Sequence, residues 1–301
     1  VGLNGTPAGN LTVTGTFTVN GNSAVNRVLV STTTSRGTAT GIIAAAVSFS
    51  NVDFMDITAG GASAPWDLSA ITGGSGDAGG NSNITFTTAA PQTHSNGTGT
   101  WSTMTWTSRV PLPQDDVTIT GTGTITGDMP RQGKDFNLSG FTGTYTSGIN
   151  TEHYGSYTLS SGMTYGPVAS FNLAGRGTHT TTWSGKGTGT STLTFYGPNG
   201  TYTMQDAYSS TGAFSHLAGT LNTNNFNITS LTFISNTTIT RTLNLGTTVW
   251  TLLQTTATTI WNVQVLGMTM SATSSTIIVG VASANTRSFA GGDQVYGELR
   301  Y

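Results

Sequence analysis

Cysteine is absent from this sequence, which excludes a disulfide framework, thiol catalysis and zinc–thiolate sites. Charge is nearly as scarce. Asp, Glu, Lys and Arg make up 7% of the chain, against about 25% in an average globular domain. Ten basic residues among 301, with a formal net charge of −2, supply no patch able to neutralise phosphates, so nucleic acid is not an expected partner. The longest apolar run, Gly41 to Phe49 (GIIAAAVSF), is about half of the ~20 residues a transmembrane helix needs, and membrane insertion is not expected. No signal peptide is visible.

What fills the space is Thr, Ser, Asn and Gly, the last numbering 41. Thr suits a pleated surface because its branched Cβ is stiff, and Gly, Asn and Ser supply turns. A flexible Gly/Ser linker is the competing reading. It fails against a 35% hydrophobic content, aromatics throughout, and period-2 alternation such as Leu11-Thr12-Val13-Thr14 and Val117-Thr118-Ile119-Thr120. The chain reads as ordered and all-β.

Repeats give the expected architecture. Phe226-Asn227-Ile228, Leu243-Asn244-Leu245, Ile260-Trp261-Asn262 and Ile277-Ile278-Val279 recur every seventeen residues, an interval that fits one coil of a parallel β-solenoid. Phe136-Asn137-Leu138-Ser139-Gly140 returns as Phe171-Asn172-Leu173-Ala174-Gly175 thirty-five residues later, which reads as two coils. The core should hold Phe136, Leu138, Phe171, Leu173, Phe226, Ile228, Leu243, Leu245, Ile260 and Ile277, with Thr and Asn between them facing solvent. Pro91 to Pro113 lacks the repeat and carries Trp101, Trp106 and Arg109. It reads as a joint in which the two tryptophans plug a solenoid end, since a terminal coil exposes bare core and an unpaired edge. The expected organisation is a solenoid section at 1–88, a cap at 89–116 and a second section at 117–301. The strand-like pattern at Tyr301 suggests that this second section continues beyond the chain end.

Several segments resemble a family of repetitive, Thr/Gly-rich β-helical proteins of tailed bacteriophages. They are VDFMDI (Val52 to Ile57), GDAGGNSNITF (Gly76 to Phe86), SRVPLPQDDVTI (Ser108 to Ile119), AGTLNTNNFNIT (Ala218 to Thr229), RTLNLGTT (Arg241 to Thr248) and TRSFAGG (Thr286 to Gly292). The resemblance spans most of the chain and implies a structural, non-enzymatic virion component, a section of a fibre or appendage at the virion surface. Its implied partners are other virion proteins and a host surface glycan, and it brings no catalytic motif to carry over. The alternatives are a depolymerase acting on host polysaccharide and a bacterial secreted adhesin. A homotrimer is favoured over a monomeric rod, because closed symmetry suits an appendage.

Chemistry-bearing residues are few. Glu152-His153 is the best acid/base pair by residue type, against the plainer reading of a solvated loop tip. Asp53 and Asp56 are three apart and on one strand would face opposite sides. Asp115-Asp116 sits in a Pro-rich turn, where turn hydrogen bonding is the ordinary role. Asp77 lacks the spaced second and third carboxylate of a calcium loop. His94, His153, His179 and His216 have no metal-ligand spacing. No catalytic, cofactor or metal site is therefore expected. Tyr145, Tyr154, Tyr157, Tyr165, Tyr196, Tyr202 and Tyr208 form a cluster that would stack on sugars if exposed, but they read mainly as core.

Overall fold

A computed structural model describes residues 2–3, 9–32 and 36–301; residues 1, 4–8 and 33–35 of the expected N-terminal section lie outside that set. Among the described residues every strand pairing is parallel and no helix occurs. The strands stack as a β-solenoid of about 12 turns. Those from Gly2–Leu3 to Ile84–Thr85 form three sheets, and those from Gln92–Ser95 to Tyr296–Arg300 form two more. No sheet contains strands from both groups. Each group also has its own core, one around Val30, Phe54 and Trp66, the other running from Trp101 to Val279.

The C-terminal section has three faces per coil. Phe136–Phe141, Thr144–Ser147 and Thr151–His153 make one circuit, and the next lays Tyr157, Thr164 and Phe171 over Phe136, Thr144 and Thr151. The offset between stacked residues is 20 at Thr146–Gly166, 22 at Asn222–Asn244 and 29 at Thr259–Ser288. No coil here has the seventeen residues that the apolar triplets suggest. Ile228 stacks under Trp250 and then Ile277, whereas Leu243 stacks on Leu221. Seventeen residues carry the chain two faces onward, so the interval marks two-thirds of a turn. The thirty-five-residue repeat is corrected likewise: Phe136 pairs with Tyr157, but Phe171 pairs with Thr151 and Leu193 on another face.

The expected core residues are fully buried apart from Phe226, which is partly buried. Aromatic rings run up the interior. Trp101 stacks on Phe136 at 5.6 Å and Phe136 on Tyr157 at 5.0 Å; farther on, Trp250 meets Trp261 at 5.2 Å and Trp261 stacks on Phe289 at 5.7 Å. Segment 89–116 is itself a coil: Gln92–Ser95 and Gly99–Thr100 pair with Val117–Gly121 and Thr124–Gly127. Trp101 and Trp106 lie in that coil, buried, with rings 4.5 Å apart. At one corner Gly123, φ 132°, passes so close under Gly97 that any Cβ would strike the Gly97 carbonyl.

Candidate functional site

Thr151–His153 is a strand, not the expected loop, and strand alternation sends its neighbouring side chains apart. His153 points inward and is fully buried among Phe136, Phe171 and Tyr157, with centroids 4.6, 4.9 and 5.1 Å away. Burial pushes its pKa down to about 3. Glu152 points the other way and forms an ion pair with Arg36. The two are not assembled as an acid/base pair, and Glu152 is not at a solvated tip.

Asp53 and Asp56 depart from expectation for a backbone reason. Val52–Met55 is a strand, but the chain breaks at Asp56, whose φ of 60° is left-handed. Both carboxylates are buried and both meet arginines of the C-terminal section. Asp53 accepts from Arg131 Nε at 2.7 Å and from Arg27 Nε at 2.8 Å. Asp56 accepts from Arg176 Nη2 at 2.7 Å and from the Gly37 amide at 3.1 Å.

The remaining candidates have local work. Asp115 is buried and accepts from Arg109, from the Ala90 amide at 2.8 Å and from the Leu112 amide at 2.9 Å. Asp116 is paired with Lys134 at 3.5 Å. Asp77 accepts from the Gly79 amide and from Asn81, as a turn aspartate does. His94 contacts the Thr105 carbonyl and His216 the Gly219 carbonyl, while His179 Nε2 accepts from the Gly177 amide. Among the described residues no three His, Asp or Glu side chains converge as metal ligands. Tyr145, Tyr154, Tyr157, Tyr202 and Tyr208 are buried, and Tyr165 and Tyr196 partly so. Tyr301 is the only exposed aromatic among the described residues, so the tyrosine cluster forms no stacking platform for sugars.

What the structure does bring together is a charged seam. Arg131–Asp53, Arg176–Asp56 and Arg36–Glu152 join residues of the N-terminal section to residues of the C-terminal section. Arg36 also lies over the Tyr196 ring, 4.5 Å from its centroid. Burial lowers and the Asp53 charge raises the Arg131 guanidinium, which ends above its ordinary value; Arg36 behaves the same way beside Glu152. Tyr154 is buried among these groups, and burial followed by the Glu152 charge lifts its hydroxyl well above the ordinary tyrosine range. Gln114 bridges the same two sections, accepting from the Asp77 amide and donating to the Ser75 and Thr87 carbonyls, each at 2.9 Å.

No protein-family model, curated protein or solved structure matches this chain. Its chemistry is read from the geometry alone. The carboxylates the sequence singled out are paired with arginines or, for Asp116, with Lys134, or are held by backbone amides. Sequence reasoning missed the arginines opposite them, Arg27, Arg36, Arg131 and Arg176, because nothing local marks a partner 26 to 120 residues away.

Proposed function

We propose that this chain is a structural section of an extracellular fibre or appendage. The resemblance to Thr/Gly-rich β-helical phage proteins makes a tailed-phage virion the proposed setting. The observation that carries the reading is the ring column running along the C-terminal core from Trp101 to Phe289, inside continuous parallel ladders. Each coil hydrogen-bonds the next, and rings contributed by most of the coils pack along the same axis, so bending the rod strains both together. This is a scaffold's physics, and Glu152, the best acid by residue type, is engaged by Arg36. Mass spectrometry of gradient-purified phage particles tests the setting: peptides of this chain should co-purify at stoichiometric levels. Their confinement to the particle-free lysate would overturn it. A second assay addresses the depolymerase alternative. Incubation with host capsule should release no reducing ends, and sustained release abolished by Glu152→Gln would refute the structural reading.

A further inference from the structure

The seam differs from the rest of the molecule in how it is held. No backbone–backbone hydrogen bond crosses it between residues up to 87 and the C-terminal section among the described residues. One apolar contact across it is a cluster apart from both main cores, Met55 and Ala78 against Tyr154 and Ala174 with Leu29 beside them, and Val25 packs against the edge of the C-terminal core. Packing is open, since cavities of about 300, 220 and 140 Å³ lie along the seam. The Tyr154 hydroxyl and Arg176 Nε, both buried there, have no hydrogen-bond partner among the described residues. Against this stand the three cross-seam ion pairs and the Gln114 bridge.

We propose that the seam is a latch. The N-terminal section is a separate module docked on the flank of the C-terminal solenoid, and the two part about the connection between Thr87, held by Ser75, and Thr88 without either unfolding. Each module has its own core and ladders, so separation breaks no sheet. Ion pairs that are buried together are returned to water together, and the hydration regained offsets most of the Coulomb energy lost. Small polar contacts between domains behave like transient interfaces. The connection itself stays anchored, because Arg109 donates to the Thr88 carbonyl at 2.7 Å and Asp115 holds the Ala90 amide. The hinge is thereby confined to a few residues.

The absence of cysteine makes the test clean. Spin labels on cysteines introduced at exposed Thr18 and Ser161 report the distance between modules in the full chain. Unaltered charges should give one narrow distribution. R131E/E152R sets like charges against Asp53 and Arg36 and should add a broad, longer component, displaced by more than the roughly 10 Å spacing of packed sheets. Adding R36E restores one pair and should shrink that component. An unchanged narrow distribution in R131E/E152R overturns the proposal. Native-state hydrogen exchange on the unaltered chain supplies an independent readout should the charge variants misfold. The two sections should open as separate units with different free energies, and a single cooperative unit spanning both would equally overturn the latch.

Discussion

Arg241 is a fully buried cation with no carboxylate partner. Its Nε donates to Ser235 Oγ at 2.6 Å; Nη1 donates to the carbonyls of Ile239 at 3.2 Å and Leu266 at 3.0 Å; Nη2 donates to those of Ser235 at 2.6 Å and Gln264. All five guanidinium protons are used. Ser235 and Ile239 flank one coil corner and Gln264 and Leu266 the next, so the side chain staples successive corners between the ladder that ends at Ser235–Val263 and the one that begins at Arg241–Met268. Arg241→Met keeps the stem and removes the donors. The carbonyls of Ile239, Gln264 and Leu266 then lose the only protein donors they have among the described residues. An unmet buried acceptor costs about 1–3 kcal/mol; at a partly open corner water reaches some of it, so about 1 kcal/mol each is the fitting figure. Removing a desolvated charge works in the other direction, but each lost bond was charge-assisted and stronger than a neutral one. The staple wins, and the expected loss is about 3 kcal/mol, or roughly 6–12 °C in Tm for a unit of this size.

Urea denaturation measures the loss, and hydrogen exchange at Gln264 to Gly267 locates it. Arg241→Lys keeps the charge with fewer donors and should fall between wild type and Met. A Met variant within about 0.5 kcal/mol of wild type, the range of an indifferent surface change, would refute the staple and leave Arg241 a mere tolerated charge.

Acid should weaken the fold through its buried histidines. Burial pushes His153 to about 3 and His216 to about 4, below the ordinary 6.5, so the unfolded chain takes up protons first. Stability then falls as pH drops below 6.5, by about 1.4 kcal/mol per pH unit for each histidine, until the folded-state values are reached. His153→Phe should remove one proton's share of that slope between pH 6 and 4.5, and an unchanged slope in urea midpoints would refute the assignment. Trp101→Ala should cost about 3–5 kcal/mol and open the solenoid end to a hydrophobic dye; unaltered dye binding would show that the end is closed by other residues.

The class of fold was legible because solenoid physics is written locally. Thr alternating with apolar residues gives strands, and the inward positions of Phe136, Leu138, Phe171 and Leu173 follow from period 2 alone. Coil length was not legible. Coils grow by loop insertion at the corners, so a regular apolar interval survives while stepping between faces. The seam was not legible either, since it depends on Asp56 leaving the strand and on two sections meeting side by side. Arg241 did leave a signal. It shares the alternation phase of Leu243 and Leu245, and an arginine in an inward phase is a buried arginine. His216 sits likewise in phase with Phe214.

The scarcity of charge acquires a physical reason from where the charges sit. Repeating coils specify one another through ladders and ring stacks, and side-chain ladders such as Asn244 donating to Asn222 and Asn222 to the Thr203 hydroxyl cover the outside without side-chain charge. Such periodic contacts fix the axis but cannot fix a unique event, because a coil displaced by one turn meets nearly the same surface. Several ion pairs stand where the repeat stops. Arg109 and Asp115 set the joint, and Arg36, Arg131 and Arg176 hold one section to the other; Arg241, a charge without a counter-ion among the described residues, ties a corner through backbone carbonyls. Charge pairs are long-ranged and sign-selective, so a shifted docking leaves a buried carboxylate facing a threonine at a cost of several kcal/mol. In a molecule whose coils repeat the same backbone ladder, a handful of charges is enough to select one register out of many.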